Sequence, residues 1–170
     1  MNARLSSALV VGALLLAGCG SDPATPQESA EPTGGLSSDA LITYQFLDSS
    51  VPPPYHRSFE LTVTAKESRI VVDSYGDVLA DEKVPTDPEV WNTLGSTIDQ
   101  VSSLTVAQTE QGCTGGTATS LAVIEGDQVL ADLMLDECAG ANAEAAEAVD
   151  AWIVPARGQF PSMDVLAPEG

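Results

Sequence analysis

Two alternating runs bracketed by cysteines constrain this chain more than any other feature. Thr117 to Glu125 (TATSLAVIE) and Gln128 to Asp136 (QVLADLMLD) flank Gly126-Asp127, with Cys113 before the first run and Cys138 after the second. A Gly-Asp pair between two period-2 runs predicts a β-hairpin with a two-residue turn. Antiparallel pairing returns the end of the second strand to the start of the first. The two cysteines then meet at the open end of the hairpin. In an oxidising compartment that spacing predicts a disulfide, worth about 3.5 kcal/mol in the chain-entropy account. A redox or nucleophilic pair is the alternative, but its usual Cys-x-x-Cys spacing is absent.

The rest of the chain fits around that hairpin. Phe59 to Lys66 (FELTVTAK) places Phe59, Leu61, Val63 and Ala65 on one face, the period of a half-buried strand. Arg69 to Asp73 and Asp77 to Val84 flank Ser74-Tyr75-Gly76 and predict a second hairpin, and Leu41 to Leu47 predicts an earlier strand. Thr86-Asp-Pro-Glu89 reads as a capping box with Thr86 as the cap. It opens a helix with Trp91, Leu94, Ile98 and Val101 on one face. Gly95 within it suits close packing on the sheet. Asn142 to Ile153 predicts a closing helix, with Ala145, Ala148, Val149 and Trp152 on its apolar face and Arg157 beyond its end. The expected fold is α+β: an antiparallel sheet of two hairpin units, about five to seven strands in all, with one or two helices packed on one face and one disulfide.

The N-terminus has the three parts of an export signal. Arg4 supplies the positive charge, Ala8 to Ala17 the apolar run, and Gly18 the small residue before Cys19. The run is shorter than the roughly 20 residues a membrane span needs, and no Arg-Arg pair marks the twin-arginine route. Leu16-Ala17-Gly18-Cys19 resembles the lipobox of bacterial lipoproteins. With its Ala-, Gly- and Asp-rich, Lys-poor usage, the chain resembles the small lipoproteins exported by high-GC bacteria, actinobacteria among them. The resemblance covers residues 1–19. It implies that Cys19 carries a diacylglyceryl thioether and becomes the mature N-terminus, on the extracytoplasmic side of the cell membrane. Two or more acyl chains give stable anchoring where one does not. The organisation expected is a signal peptide over 1–18, the lipidated Cys19 and a disordered tether over 19–38, one globular domain over 39–165, and a tail over 166–170. The tether is rich in Ser, Pro, Gly, Thr and Glu, too polar to offset its ordering entropy. Its reach is roughly 60 Å extended and about 25 Å as a coil.

Charge excludes one class of partner. The chain carries 25 acidic residues against 6 basic ones, a formal net charge of −19. Loss of the leader removes Arg4 and takes the formal charge to −20. Such a surface repels phosphate backbones and anionic headgroups, so nucleic acid is not an expected partner. It suits a cation, a polyamine or a basic protein, or serves to keep an exported domain in solution.

Catalytic signatures are missing from the sequence. His56 is its one histidine, and it has no Gly-x-Ser-x-Gly elbow, no His-Glu-x-x-His and no Cys/His cluster. Gly112 to Thr117 lacks the Gly-Lys ending of a phosphate cradle, and neither Asp73…Asp77 nor Asp132…Asp136-Glu137 has the order of an EF-hand loop. No cofactor or metal is implied. Val51-Pro-Pro-Pro-Tyr-His-Arg57 reads as a rigid polyproline crossing. Its alternative is a recognition loop with Tyr55, His56 and Arg57 as contacts. The expected function is a non-enzymatic, membrane-anchored binding domain with an envelope protein as partner. The alternatives are an enzyme built on carboxylates and a lipoprotein that binds a small molecule or cation.

Overall fold

A computed structural model of the chain describes residues 35–107, 115–137 and 140–168. Cys19, Cys113 and Cys138 lie outside the described residues, and with them the leader, most of the tether and the expected disulfide. The fold is α+β. Six strands run β1 (Ala40–Leu47), β2 (Ser58–Val63), β3 (Glu67–Ser74), β4 (Asp77–Pro85), β5 (Ala118–Glu125) and β6 (Gln128–Asp136). They form one antiparallel sheet in the order β4-β3-β2-β1-β5-β6. The helices are α1 (Pro88–Ser96), α2 (Asp99–Ser102), α3 (Ala143–Arg157) and α4 (Met163–Leu166).

Both predicted hairpins close through two-residue turns, with Ser74 opposite Asp77 and Glu125 opposite Gln128. In the first, Tyr75 has φ 53° and Gly76 φ 90°, the pair of positive angles of a type I′ turn. Glycine takes this conformation at no steric cost, and tyrosine does not. Tyr75 is held there by contacts described below.

Strand alternation sorts the side chains. Ile42, Tyr44, Leu61, Val63, Ile70, Val72, Leu121, Val123, Leu133 and Leu135 point to one face and are buried. They form one core with Trp91, Leu94 and Val101 of α1 and α2 and with Val149, Trp152, Ile153 and Ala156 of α3. The helices therefore cover one face of the sheet. No helix among the described residues covers the other face.

Four local expectations are corrected. The cap of α1 is Asp87, whose carboxylate accepts the Glu89 N–H at 2.8 Å. Thr86 is instead buried, its hydroxyl 2.8 Å from that of Ser68 on β3. The single helix expected to Val101 breaks after Ser96 into α1 and α2. At the break, the Thr97 hydroxyl donates to the Thr93 carbonyl at 2.7 Å and accepts the Trp152 indole N–H at 3.1 Å. Gly95 does not pack on the sheet: a Cβ there would sit 2.6 Å from the Leu36 backbone nitrogen, so the incoming chain crosses α1 at this point. Finally, α3 runs through Pro155 to Arg157. The proline stands near the helix end, where its missing N–H forfeits one ladder bond, and Gly158 N–H to Val154 O at 2.8 Å closes the helix.

The folded part also extends beyond 39–165. Leu36 packs against the core, and Leu166 and Ala167 are buried.

Candidate functional site

The Val51–Arg57 segment, the alternative recognition loop, crosses from β1 to β2 as a turn and not as the expected polyproline rod: the Tyr55 N–H donates to Pro52 O at 2.9 Å and the His56 N–H to Pro53 O at 3.3 Å. Tyr75, on the β3–β4 turn, pins it. The Tyr75 hydroxyl donates to Val51 O at 2.6 Å and its ring stacks on His56, centroids 3.9 Å apart and planes 24° apart. The Ser74 hydroxyl donates to Pro53 O at 2.9 Å. These bonds explain why a tyrosine occupies a left-handed conformation. His56 is thereby buried at 5 % exposure, an internal support of the loop. Arg57 turns to the C-terminal segment: Nε donates to Ala167 O at 2.7 Å, Nη2 to Pro168 O at 2.6 Å, and Nη1 to its neighbour's carbonyl, His56 O, at 2.7 Å. Of the three candidate contacts, Tyr55 alone is exposed.

His56 Nε2 lies 3.4 Å from the Ser58 hydroxyl, a long contact. A serine nucleophile needs its base oriented by a third group on the other ring nitrogen. His56 Nδ1 is buried with no hydrogen-bond partner. The nearby carboxylate, Asp48, is engaged instead with the Ser49 and Arg57 N–H groups at 2.7 and 2.9 Å. The Ser58 oxygen accepts the Asp48 N–H at 3.0 Å. These groups knit the β1–β2 crossing together; they do not form a triad.

A second polar contact crosses the core. The Tyr44 hydroxyl of β1 donates to Asp150 of α3 at 2.8 Å, and the Thr119 hydroxyl of β5 donates to the same oxygen at 3.4 Å. Burial, then the hydrogen bond and negative charge of Asp150, push the Tyr44 hydroxyl well above its ordinary pKa of 10.0. Tyr44 stays protonated and joins helix to sheet.

The open face of the sheet has a different character. Leu41, Leu47, Ile124, Val129 and Met134 stand exposed on it. Leu41 faces Ile124 across β1 and β5, and Ile124 faces Val129 across β5 and β6, so the three form one apolar row. Two depressions lie in the same surface. One, of ≈ 390 Å³, is lined by Gln45, Leu47, Ser58, Glu60, Val71 and Asp73 among others. The other, of ≈ 230 Å³, includes Thr43, Ser120, Ala122, Asp132 and Met134. Gln45 borders both, and its side-chain amide donates to Glu60 at 2.8 Å.

The cations of this face are already engaged. Arg69 forms a two-pronged pair with Asp81, both contacts at 2.7 Å, and Lys83 lies 3.1 Å from Glu67. The Arg69 guanidinium holds the Asp81 carboxyl below its ordinary pKa. Among the described residues, Glu60, Asp73 and Asp132 of this face have no ion pair.

Sequence reasoning did not single out Glu60, Val71, Asp132 or Met134 as site residues. The available signal was apolar side chains at outward-facing strand positions, as at Leu41, Leu47 and Met134. No group of three or more acidic, histidine or cysteine side chains able to hold a metal ion occurs among the described residues, and no helix there is long and apolar enough to cross a membrane. No protein-family model and no curated protein matches this chain.

Proposed function

We propose that this protein is a lipid-anchored binding domain, held on the extracytoplasmic side of the cell membrane through Cys19 and engaging an envelope protein without catalysing a reaction on it. One observation carries the binding reading: among the described residues, the six-stranded sheet has helices on one face and exposed apolar side chains on the other. A free face that exposes Leu41, Leu47, Ile124, Val129 and Met134 gains free energy when a partner covers it. The Leu-Ala-Gly-Cys lipobox resemblance supports the anchor. A Cys113–Cys138 disulfide belongs to the same reading, since export places both thiols in an oxidising compartment. It is supported by the β5–β6 ladder, which pairs Ala118 with Asp136 and continues to a Glu137 N–H bond to Thr117 O at 3.2 Å.

The test is site-specific photo-crosslinking in intact cells. A photoreactive residue replaces Thr43 on the open face or Glu144 on the exposed side of α3. One discrete envelope adduct from position 43, absent from position 144 and lost when Cys19→Ala releases the chain from the membrane, is the expected result. Adducts from neither position overturn the binding reading. Membrane retention of the Cys19→Ala chain overturns the lipid anchor. Thiol labelling of the unreduced protein tests the disulfide, and two free thiols at Cys113 and Cys138 refute it.

A further inference from the structure

We infer that the open sheet face docks an extended, basic and amphipathic segment of a partner protein, with cationic side chains over Glu60–Asp73 and Asp132 and apolar ones over Leu47 and Met134. This rests on the binding reading above and adds the partner's chemistry.

The argument is one of complementarity in charge and pattern. Carboxylates outnumber cations on this face, and both of its cations are consumed internally, Arg69 by Asp81 and Lys83 by Glu67. Glu60 and Asp73 line one depression, together with the Asp81-paired Arg69, and Asp132 lines the other. A partner that covers the apolar positions takes these carboxylates out of water. That costs free energy unless it brings cations to them. A neutral apolar partner desolvates them without counter-charge, leaving Glu60 only the Gln45 amide and Asp73 only the Gly76 N–H. A second copy of this chain, formally −19 in full, sets like charge against like. The chain's own tether residues 20–34 carry Asp22, Glu28 and Glu31 and no base, so they are repelled as well. A basic segment satisfies both demands.

The spacing sets the form of the segment. Glu60 on β2 and Asp132 on β6 are separated by β1 and β5, three inter-strand steps or about 14 Å across the strands, and by two residues or about 7 Å along them. Apolar side chains stand beside each carboxylate group: Leu47 and Val71 with Glu60 and Asp73, and Met134 and Ala122 with Asp132. An extended chain crossing the strands meets acid and apolar surface at both ends of that span.

The experiment is a fluorescence titration of the full-length protein in neutral detergent micelles. The probe is a labelled, capped peptide of three Lys-Leu repeats, and a Glu-Leu peptide of the same length is the control. The inference expects saturable binding of the Lys-Leu probe and none of the Glu-Leu peptide. The isosteric double variant Glu60→Gln/Asp132→Asn weakens binding at least tenfold. Removal of the same number of charges from α3, by Glu144→Gln/Glu147→Gln, changes it less than twofold. Leu47→Ser, which leaves every charge in place, weakens it at least threefold. Equal loss from both double variants overturns the inference, because the attraction is then a diffuse property of an acidic protein. Binding unaffected by Leu47→Ser, or matched by spermidine at equal charge, overturns the amphipathic segment as occupant. If the probe fails while position 43 still crosslinks in cells, the binding reading stands and this chemistry falls. If both fail, the binding reading itself is overturned.

Discussion

Tyr44 shows how much one hydroxyl can carry in a molecule of this size. It stands on an inner strand, and its bond to Asp150 joins sheet to helix across a largely apolar core. A hydrogen bond to a charged acceptor contributes about 1.5–3 kcal/mol. Tyr44→Phe is therefore expected to lower stability by about 2 kcal/mol, read as a lower urea midpoint at pH 7. The pH dependence follows from the raised pKa. The unfolded hydroxyl ionises near pH 10 and the folded one only above that. The folded state thus binds the proton more tightly, and its advantage, complete below pH 10, is lost as pH rises beyond it. The gap between wild-type and variant midpoints is expected to narrow progressively as pH rises above 10, and a gap that stays constant there refutes the assignment. The sequence marked Tyr44 as part of a strand. It could not mark the bond, because the partner carboxylate lies on α3, more than a hundred residues later.

Among the elements, legibility followed the range of the deciding interaction. Strands β5 and β6 were predicted almost residue for residue, because alternation and turn chemistry are both local. The start of α1 was misassigned by one residue, since Thr86 is taken by Ser68 on β3 and the cap passes to Asp87. The alternative reading of the crossing makes His56 a surface contact, yet it is buried under Tyr75, which a turn on another hairpin brings over it. The parity of the open face was readable, as Glu60 alternates with the inward Phe59 and Leu61. Its exposure was not, because that depends on where the helices settle. Gly95 gives the element-scale prediction. Alanine favours a helix interior over glycine by about 1 kcal/mol, but here its methyl meets the Leu36 backbone, and such overpacking costs about 1–3 kcal/mol. Gly95→Ala is expected to lower the melting temperature of the intact chain. In a chain starting at Ser37 the same change is expected to be neutral or stabilising. An equal penalty in both backgrounds refutes the crossing.

Over the whole molecule, the two ends of the sheet are secured differently. At one end the chain comes in over Gly95, and the Ser37 N–H donates to Glu125 at 3.1 Å before β1 begins. At the other, Arg57 holds the last described turn by the carbonyls of Ala167 and Pro168. Arg57→Gln keeps a donor but loses the fork that spans both carbonyls. It is expected to leave the sheet folded while chymotrypsin cuts sooner after Met163 or Leu166, which mass spectrometry of the fragments reads directly. Unchanged cleavage there would show that burial of Leu166 and Ala167 suffices. The central position of β1 has a mechanical consequence. A pull arriving through Gly35 acts along β1, whose eight residues span about 27 Å and are bonded to β2 on one side and β5 on the other. The load is shared as shear by two ladders at once. A pull on the C-terminal turn would instead peel contacts away one by one, beginning with a single arginine. A domain tugged from its N-terminal side therefore resists extension in its strongest direction.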